Sequence, residues 1–230
     1  MGPFPDGVYR AQFPYYYRNP EGMPQEAALD YYLNSIKDVF EQCGPADSIA
    51  AIVVEPLQGE GGFIPAPIEW VKAVRKICDE NGILLVADEV QTGFCRTGRM
   101  FATQYWEEAG VQPDILATAK FIAAALKTIE IMERDDLAGC SCEIGEKVSK
   151  RFNEWKEKYP VIGDVRGLGG MIGLEFVKDQ KSKEPYPEFS AAVISGCAKK
   201  GLMIEGAGTY GNVIRFLAPL VMTDEQLEAG

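Results

Sequence analysis

Residues 82–98 read GILLVADEVQTGFCRTG. Five apolar residues, Ile83 to Ala87, stand between a glycine and the first charge, Asp88. A run that short and that apolar reads as a strand buried on both faces, as in a parallel sheet. Asn81-Gly82 just before it ends a helix whose stripe is Trp70, Val71, Val74, Ile77 and Cys78. Working outward, SIAAIVV at 48–54 reads as another strand buried on both faces, and Asp114 to Ala117 as a third. Strands alternating with helices imply parallel βαβ units, hence an α/β class with functional groups gathered at the strands' carboxyl edges.

Further out the pattern changes. The first 25 residues are rich in Pro, Tyr and Gly and irregular; Leu29, Leu33, Ile36 and Phe40 then repeat at helical spacing up to Gly44-Pro45. Beyond the third strand, helices are expected over 123–134 and 141–158. From about Val161 a separate α+β piece follows: a strand in MIGLEFV, a helix from Pro187 to Lys200, a strand near Leu202–Ile204 and another in NVIRFLA. The expected division is residues 1–160 for a large α/β domain with connecting helices, and 161–230 for a smaller α+β domain.

Composition narrows the chemistry. A net charge of −11 argues against a nucleic-acid partner. No apolar run approaches membrane-spanning length, so no membrane partner is expected. Histidine is absent, which removes Ser-His and Cys-His pairs, histidine bases and histidine zinc sites together. The six cysteines form no C-x-x-C pair, and Cys140-Ser141-Cys142 is too tight for zinc, so no metal is expected. Free thiols and an N-terminus, MGPFPDGVYR, without signal-peptide features point to the cytoplasm.

Three strand ends carry polar groups. EPLQGEGG at 55–62 places Glu55 and Glu60 around a glycine-rich turn; it reads as a flexible loop with solvated acids or as a site, but not as a P-loop, since no G-K-[ST] follows. RGLGGMIG at 166–173 is a near miss to a dinucleotide fingerprint whose glycines precede a strand instead of opening a helix, so that reading is rejected. Asp88 either caps a turn or holds a pyridinium nitrogen protonated. Lys120, after the third strand, is either a solvated loop residue or an amine able to form a Schiff base with a cofactor aldehyde.

In this order and spacing, EPLQGEGGF, GILLVADEVQTGFCRTG and PDILATAK resemble the class III (subgroup II) pyridoxal-phosphate-dependent aminotransferases, nearest to their 4-aminobutyrate branch. GDVRGLGGMIGLEFV and NVIRFLAPL resemble that family's C-terminal domain. The resemblance implies a fold type I transferase with a mostly parallel large domain and pyridoxal 5′-phosphate as cofactor. It implies that Lys120 carries the cofactor and moves the proton, that Asp88 pairs with the ring nitrogen, that Val90 packs on the ring and that Gln91 contacts its phenolic oxygen. Arg215 would receive the α-carboxylate of glutamate or 2-oxoglutarate, and Glu60 would pair with that arginine when an ω-amino substrate is present. The expected partners are a small-molecule amino donor, a 2-oxo acid, and a second copy of the chain in a homodimer or dimer of dimers.

The chain also departs from the family. KFIA runs directly into AAALKTIEIM, where a glycine-rich stretch, a strand and a phosphate-binding threonine loop are expected. The family's N-terminal half of the large domain is absent too, and with it a phosphate-binding turn, a ring-stacking aromatic residue and the arginine that would hold the 4-aminobutyrate carboxylate. Either the chain is a short product or it represents pieces of a longer protein. Transamination of 4-aminobutyrate with 2-oxoglutarate is the first expectation. Acetylornithine, ornithine and other ω-amine transaminases share Asp88, Gln91 and Lys120, so the donor stays open. A catalytically inactive remnant of the family is the expectation of another class.

Overall fold

The computed structural model describes residues 6–118 and 122–230. In chain order the elements are α1 (Gln25–Gln42), β1 (Ala51–Val54), β2 (Leu57–Gln58), β3 (Ile64–Pro65), α2 (Ile68–Asn81), β4 (Leu84–Asp88), α3 (Gln104–Glu108) and β5 (Ile115–Ala117). Then come α4 (Ile122–Arg134), α5 (Leu137–Lys158), β6 (Ile162–Leu168), β7 (Met171–Phe176), α6 (Pro187–Lys199), β8 (Glu205–Ala207), β9 (Val213–Leu217) and α7 (Asp224–Ala229). Two compact units result. One holds residues 1–54, 66–87 and 106–116; the other holds 55–65, 88–105 and 117–230.

In the first unit the strand order is β1-β4-β5, with β1 and β4 parallel and Val54 opposite Ala87. The α2 helix that links them ends as the sequence predicts: Gly82 adopts φ +68° and its N–H returns to the Cys78 carbonyl. Its stripe of Trp70, Val71, Val74 and Cys78 is buried against Val54, Leu85 and Ala87. Along α1 the buried line is Ala28, Tyr32 and Ile36, with Leu29, Leu33 and Phe40 flanking it, so the stripe is turned slightly from the expected one. Asp114 ties the third strand into place, because its Oδ2 accepts from Leu85 N–H at 2.7 Å and pairs with Arg75 at the same distance.

One expectation here is corrected. The strands are buried on one face only: Val53, Leu84 and Ile115 are 65%, 44% and 47% exposed. The physical reason is that α1 and α2 both lie on the opposite face, where Leu85 and Ala87 are fully buried, and the chain's described residues cover only that side. β1 is also shorter than SIAAIVV, since Ala46–Ser48 forms a 3-10 turn that Ser48 Oγ closes by donating to Pro45 O.

The second unit contains a four-stranded antiparallel sheet in the order β6-β7-β9-β8. Residues directly opposite on paired strands share a face. Ile172, Leu174, Ile214 and Phe216 face α5 and α6 and form the core with Ile144, Val148, Phe152 and Phe189. The other face carries Arg166, Gly173, Arg215 and Glu205 in one cross-strand row. Onto that face folds the small hairpin β2–β3, whose Leu57 and Phe63 pack with Met171.

RGLGGMIG is a tight hairpin turn between β6 and β7, with Leu168 opposite Met171, so its glycines lead into a strand as expected. The strand expected at Leu202–Ile204 lies three residues later, at Glu205–Ala207, because the antiparallel register sets Glu205 against Arg215. Among the described residues no helix is long and apolar enough to cross a membrane.

Candidate active site

The strand β4 delivers Asp88 as its last residue, at the carboxyl edge of the sheet. Glu55 follows Val54, the register partner of Ala87, so Glu55 and Asp88 stand side by side at adjoining strand ends. Burial pushes the Glu55 carboxyl above the ordinary carboxylate range, the Gly59 N–H that it accepts at 2.9 Å opposes that, and the charges of Asp88 and Glu60 add to it. Asp88 stands beside it at the end of β4. Its Oδ1 accepts from Val90 N–H at 3.0 Å. One carboxylate oxygen thus serves the turn, as the turn-cap reading expects, while Oδ2 accepts from no described residue.

Glu89, the next residue, is fully buried. Its Oε2 accepts from Thr92 Oγ1 at 2.5 Å and Ala102 N–H at 3.0 Å, and its Oε1 from Thr103 N–H at 2.7 Å. The stretch from Val90 to Thr103 is thus folded around one carboxylate. Arg96 extends the tie by donating to Ala218 O at 3.0 Å, and Ser141 Oγ bridges Arg96 O and Gly170 N–H at 2.9 Å each. Held this way, Val90 stands 44% exposed and Gln91 turns toward the β2–β3 turn. The Glu89 N–H also donates to Ala117 O at 2.8 Å, which fixes the end of β5 beside the same loop. Lys120, three residues beyond Ala117, lies outside the described residues.

The glycines of EPLQGEGG have specific reasons. A Cβ on Gly59 would lie 2.0 Å from Gln91 Oε1, so only glycine admits that side chain. Gly62 adopts φ +114°, and a Cβ there would lie 2.9 Å from Arg166 Nη2. Two bonds anchor the turn: Arg166 Nε donates to Gly62 O at 2.8 Å, and Gly208 N–H donates to Glu60 O at 2.9 Å. Arg166 is itself fixed by Asp164 at 3.0 Å and Glu175 at 2.8 Å.

So anchored, Glu60 meets Arg215. Its Oε1 accepts from Arg215 Nη1 at 2.5 Å and from Gln91 Nε2 at 3.3 Å. The hydrogen bond from Arg215 holds the Glu60 carboxyl below the usual carboxylate range. Arg215 lies in β9 with a side chain 15% exposed, while that of Glu60 is 71% exposed on a turn. A second acid, Glu205, pairs with Arg215 Nη2 at 2.7 Å. The site residues expected from sequence thus fall in two places that Gln91 joins: Asp88, Val90 and Gln91 on the loop after β4, and Glu60 with Arg215 on the sheet face. Glu55, Glu89, Arg166 and Glu205 complete the arrangement without having been assigned a role from sequence.

The chain matches the description of the class-III aminotransferases over residues 1–124 and 122–230. It belongs to that family. The two matched pieces meet just beyond Lys120, where the family's intervening segment was expected to be absent. The chain is 37% identical to a probable 4-aminobutyrate aminotransferase of Bacillus subtilis and 38% identical to a 5-aminovalerate aminotransferase of Pseudomonas putida, covering 100% of this chain and 60% of each relative. It superposes on a thermostable (S)-enantioselective ω-transaminase from Thermomicrobium roseum with a TM-score of 0.85 at 26% identity, over 100% of this chain and 59% of that one. The transaminase fold is therefore shared, and the chain spans about 60% of the length of the curated relatives it matches.

Family members use pyridoxal 5′-phosphate, and the residues present fit its ring. Asp88 Oδ2 is available to a ring N–H. The exposed Val90 side chain offers an apolar surface. Gln91 Oε1 is buried and accepts from none of the described residues, an acceptor that a donor on a ligand would satisfy.

Proposed function

We propose that this chain is part of an aminotransferase that moves an amino group from an ω-amino acid, 4-aminobutyrate foremost, to 2-oxoglutarate. The observation that carries this reading is the Glu60–Arg215 pair beside Gln91. An arginine embedded in a strand, with its charge covered by an acid on an exposed turn, suits a site that must accept a carboxylate in one half-reaction and hide the cation in the other. The curated relatives named for 4-aminobutyrate and 5-aminovalerate support an ω-amino donor.

Pyridoxal phosphate, when bound, supplies the electron sink that stabilises a carbanion next to nitrogen. The chain's own residues do the rest. Asp88 would hold the ring nitrogen protonated, Val90 would pack on the ring and Gln91 would hydrogen-bond the phenolic oxygen. Lys120 Nζ would hold the cofactor and would move the proton to and from the reacting carbon of the substrate. Glu60 stays on Arg215 while an ω-amino acid occupies the site, then swings out so that Arg215 takes the α-carboxylate of the 2-oxo acid. Residues 1–160 would belong to the family's large domain and 161–230 to its smaller one, in a homodimer or dimer of dimers.

Arg215→Ala tests the reading. It should raise KM for glutamate or 2-oxoglutarate by about tenfold or more, as loss of a charged hydrogen-bond partner does, and leave a donor amine without an α-carboxylate nearly unaffected. Equal losses for both would make Arg215 structural. A second reading keeps the fold and drops the activity: the sheet face at Val53, Leu84 and Ile115, which no described residue covers, is compatible with an inactive family member. Absence of any half-reaction with either donor would support it.

A further inference from the structure

Arg215 carries two carboxylates, not one. Its Nη1 meets Glu60 at 2.5 Å and its Nη2 meets Glu205 at 2.7 Å, and its Nε is buried with no hydrogen-bond partner among the described residues. The two acids differ in how they are held. Glu60 sits on the glycine-rich turn between β2 and β3, so its side chain can leave while its backbone stays tied to Gly208 N–H. Glu205, whose side chain at 68% exposed is as open to solvent as that of Glu60, differs in its backbone: it sits in β8 directly opposite Arg215 in the antiparallel register, which keeps the two side chains neighbours. When Glu60 swings away, Glu205 remains.

We infer that Glu205 is a specificity-determining residue: a second counter-ion, kept opposite Arg215 by the strand register, that holds down the site's affinity for substrates bearing an α-carboxylate. This rests on the proposed role of Arg215. With both acids in place the trio carries one net negative charge. With Glu60 displaced it is neutral, so an entering carboxylate meets half of the guanidinium instead of a full positive charge. Substrates with no carboxylate beside the reacting carbon, such as 4-aminobutyrate and simple amines or aldehydes, lose nothing to Glu205. Glutamate and 2-oxoglutarate do. The residue therefore tilts the enzyme toward ω-amino donors and toward fast release of the 2-oxo acid.

The test uses the full chain and Glu205→Gln, which keeps the side chain's shape and its acceptor oxygen but removes the charge. Calorimetric titration with 2-oxoglutarate should show binding tightened about two- to fivefold, the range expected for releasing one exposed ion pair, with 4-aminobutyrate unchanged. Arg215→Ala serves as the control. Should Arg215→Ala abolish 2-oxoglutarate binding while Glu205→Gln leaves it equal or weaker, the inference about Glu205 is wrong and the reading of Arg215 survives. If neither variant alters binding, or the parent chain does not bind 2-oxoglutarate, the reading of Arg215 is lost and the inference goes with it. A readout that needs no ligand runs alongside, namely the carbon-13 titration of the Glu60 carboxyl. Without its competitor, Arg215 should hold Glu60 lower in Glu205→Gln than in the parent, with Gln91 and Glu55 as its other polar neighbours. An unchanged or higher midpoint overturns the idea of competition for one guanidinium.

Discussion

Replacing Glu89 probes how the candidate site is held in shape. Its carboxylate is fully buried and accepts three hydrogen bonds, two of them from the backbone N–H groups of Ala102 and Thr103. Glu89→Ala leaves both N–H groups buried with no acceptor. Each such group costs about 1–3 kcal/mol, so the loss should be roughly 2–6 kcal/mol, to be set against a total of ~5–15 kcal/mol for a domain. Glu89→Gln keeps one oxygen but turns an NH2 group toward a donor, and should cost about half as much. Equilibrium urea unfolding followed by circular dichroism reads the difference as a shift in midpoint at constant slope. Because Val90 and Gln91 lie on the loop that Glu89 organises, cofactor capture should weaken in parallel. A cost below about 1 kcal/mol for both variants would refute the reasoning, since the N–H groups would then have found other partners.

Three further predictions follow from single contacts. Gly59→Ala must displace Gln91, because the added Cβ would meet Oε1 at 2.0 Å; the flexible amide can yield, so stability should fall by less than about 1 kcal/mol while fluorescence titration with pyridoxal phosphate shows weaker binding. Burial pushes the Cys78 thiol up to about 11 from 9.0, so the protonated thiol is favoured in the folded state. The stability it contributes is present below about pH 9 and lost as pH rises toward 11, and at pH 8 a thiol reagent should label exposed Cys43 and spare Cys78; rapid labelling of Cys78 would contradict its burial. Glu60 is depressed by Arg215, so the pair should persist at neutral pH and loosen only as pH falls through the Glu60 midpoint. In Arg215→Ala that midpoint should rise in a carboxyl titration, and an unchanged midpoint would show that the pair is not formed in solution.

Much of this was legible in sequence where short-range rules apply. Apolar runs ending at Asp88 and Ala117, a Gly82 helix stop and helical stripes all state their structure locally; α2 ends where expected and β4 lies within a residue of its expected bounds. The expected two-sided burial of β1 and β4 failed because apolar residues announce that they need cover without saying whether this chain provides it. β6 escaped notice since its glycines and charges dilute any alternation; its Arg166 earns a strand position only through Asp164 and Glu175. The short α7 was not among the expected elements, although Thr223 and Gln226 form a capping box whose T-x-x-Q pattern is visible in the sequence. At the site, Asp88, Gln91, Glu60 and Arg215 could be named from motifs alone. Glu205 could not, because its meaning comes from a cross-strand register that only the folded sheet defines.

The expectation most exposed to experiment is that this chain holds pyridoxal phosphate through Lys120 with Asp88 on the ring nitrogen. Incubation with the cofactor, reduction with borohydride and intact-mass measurement followed by peptide mapping address it directly. The account predicts one adduct, on Lys120, lost in Lys120→Ala and reduced in Asp88→Asn. A 25.3 kDa chain with no adduct, or with one on another lysine, would contradict it.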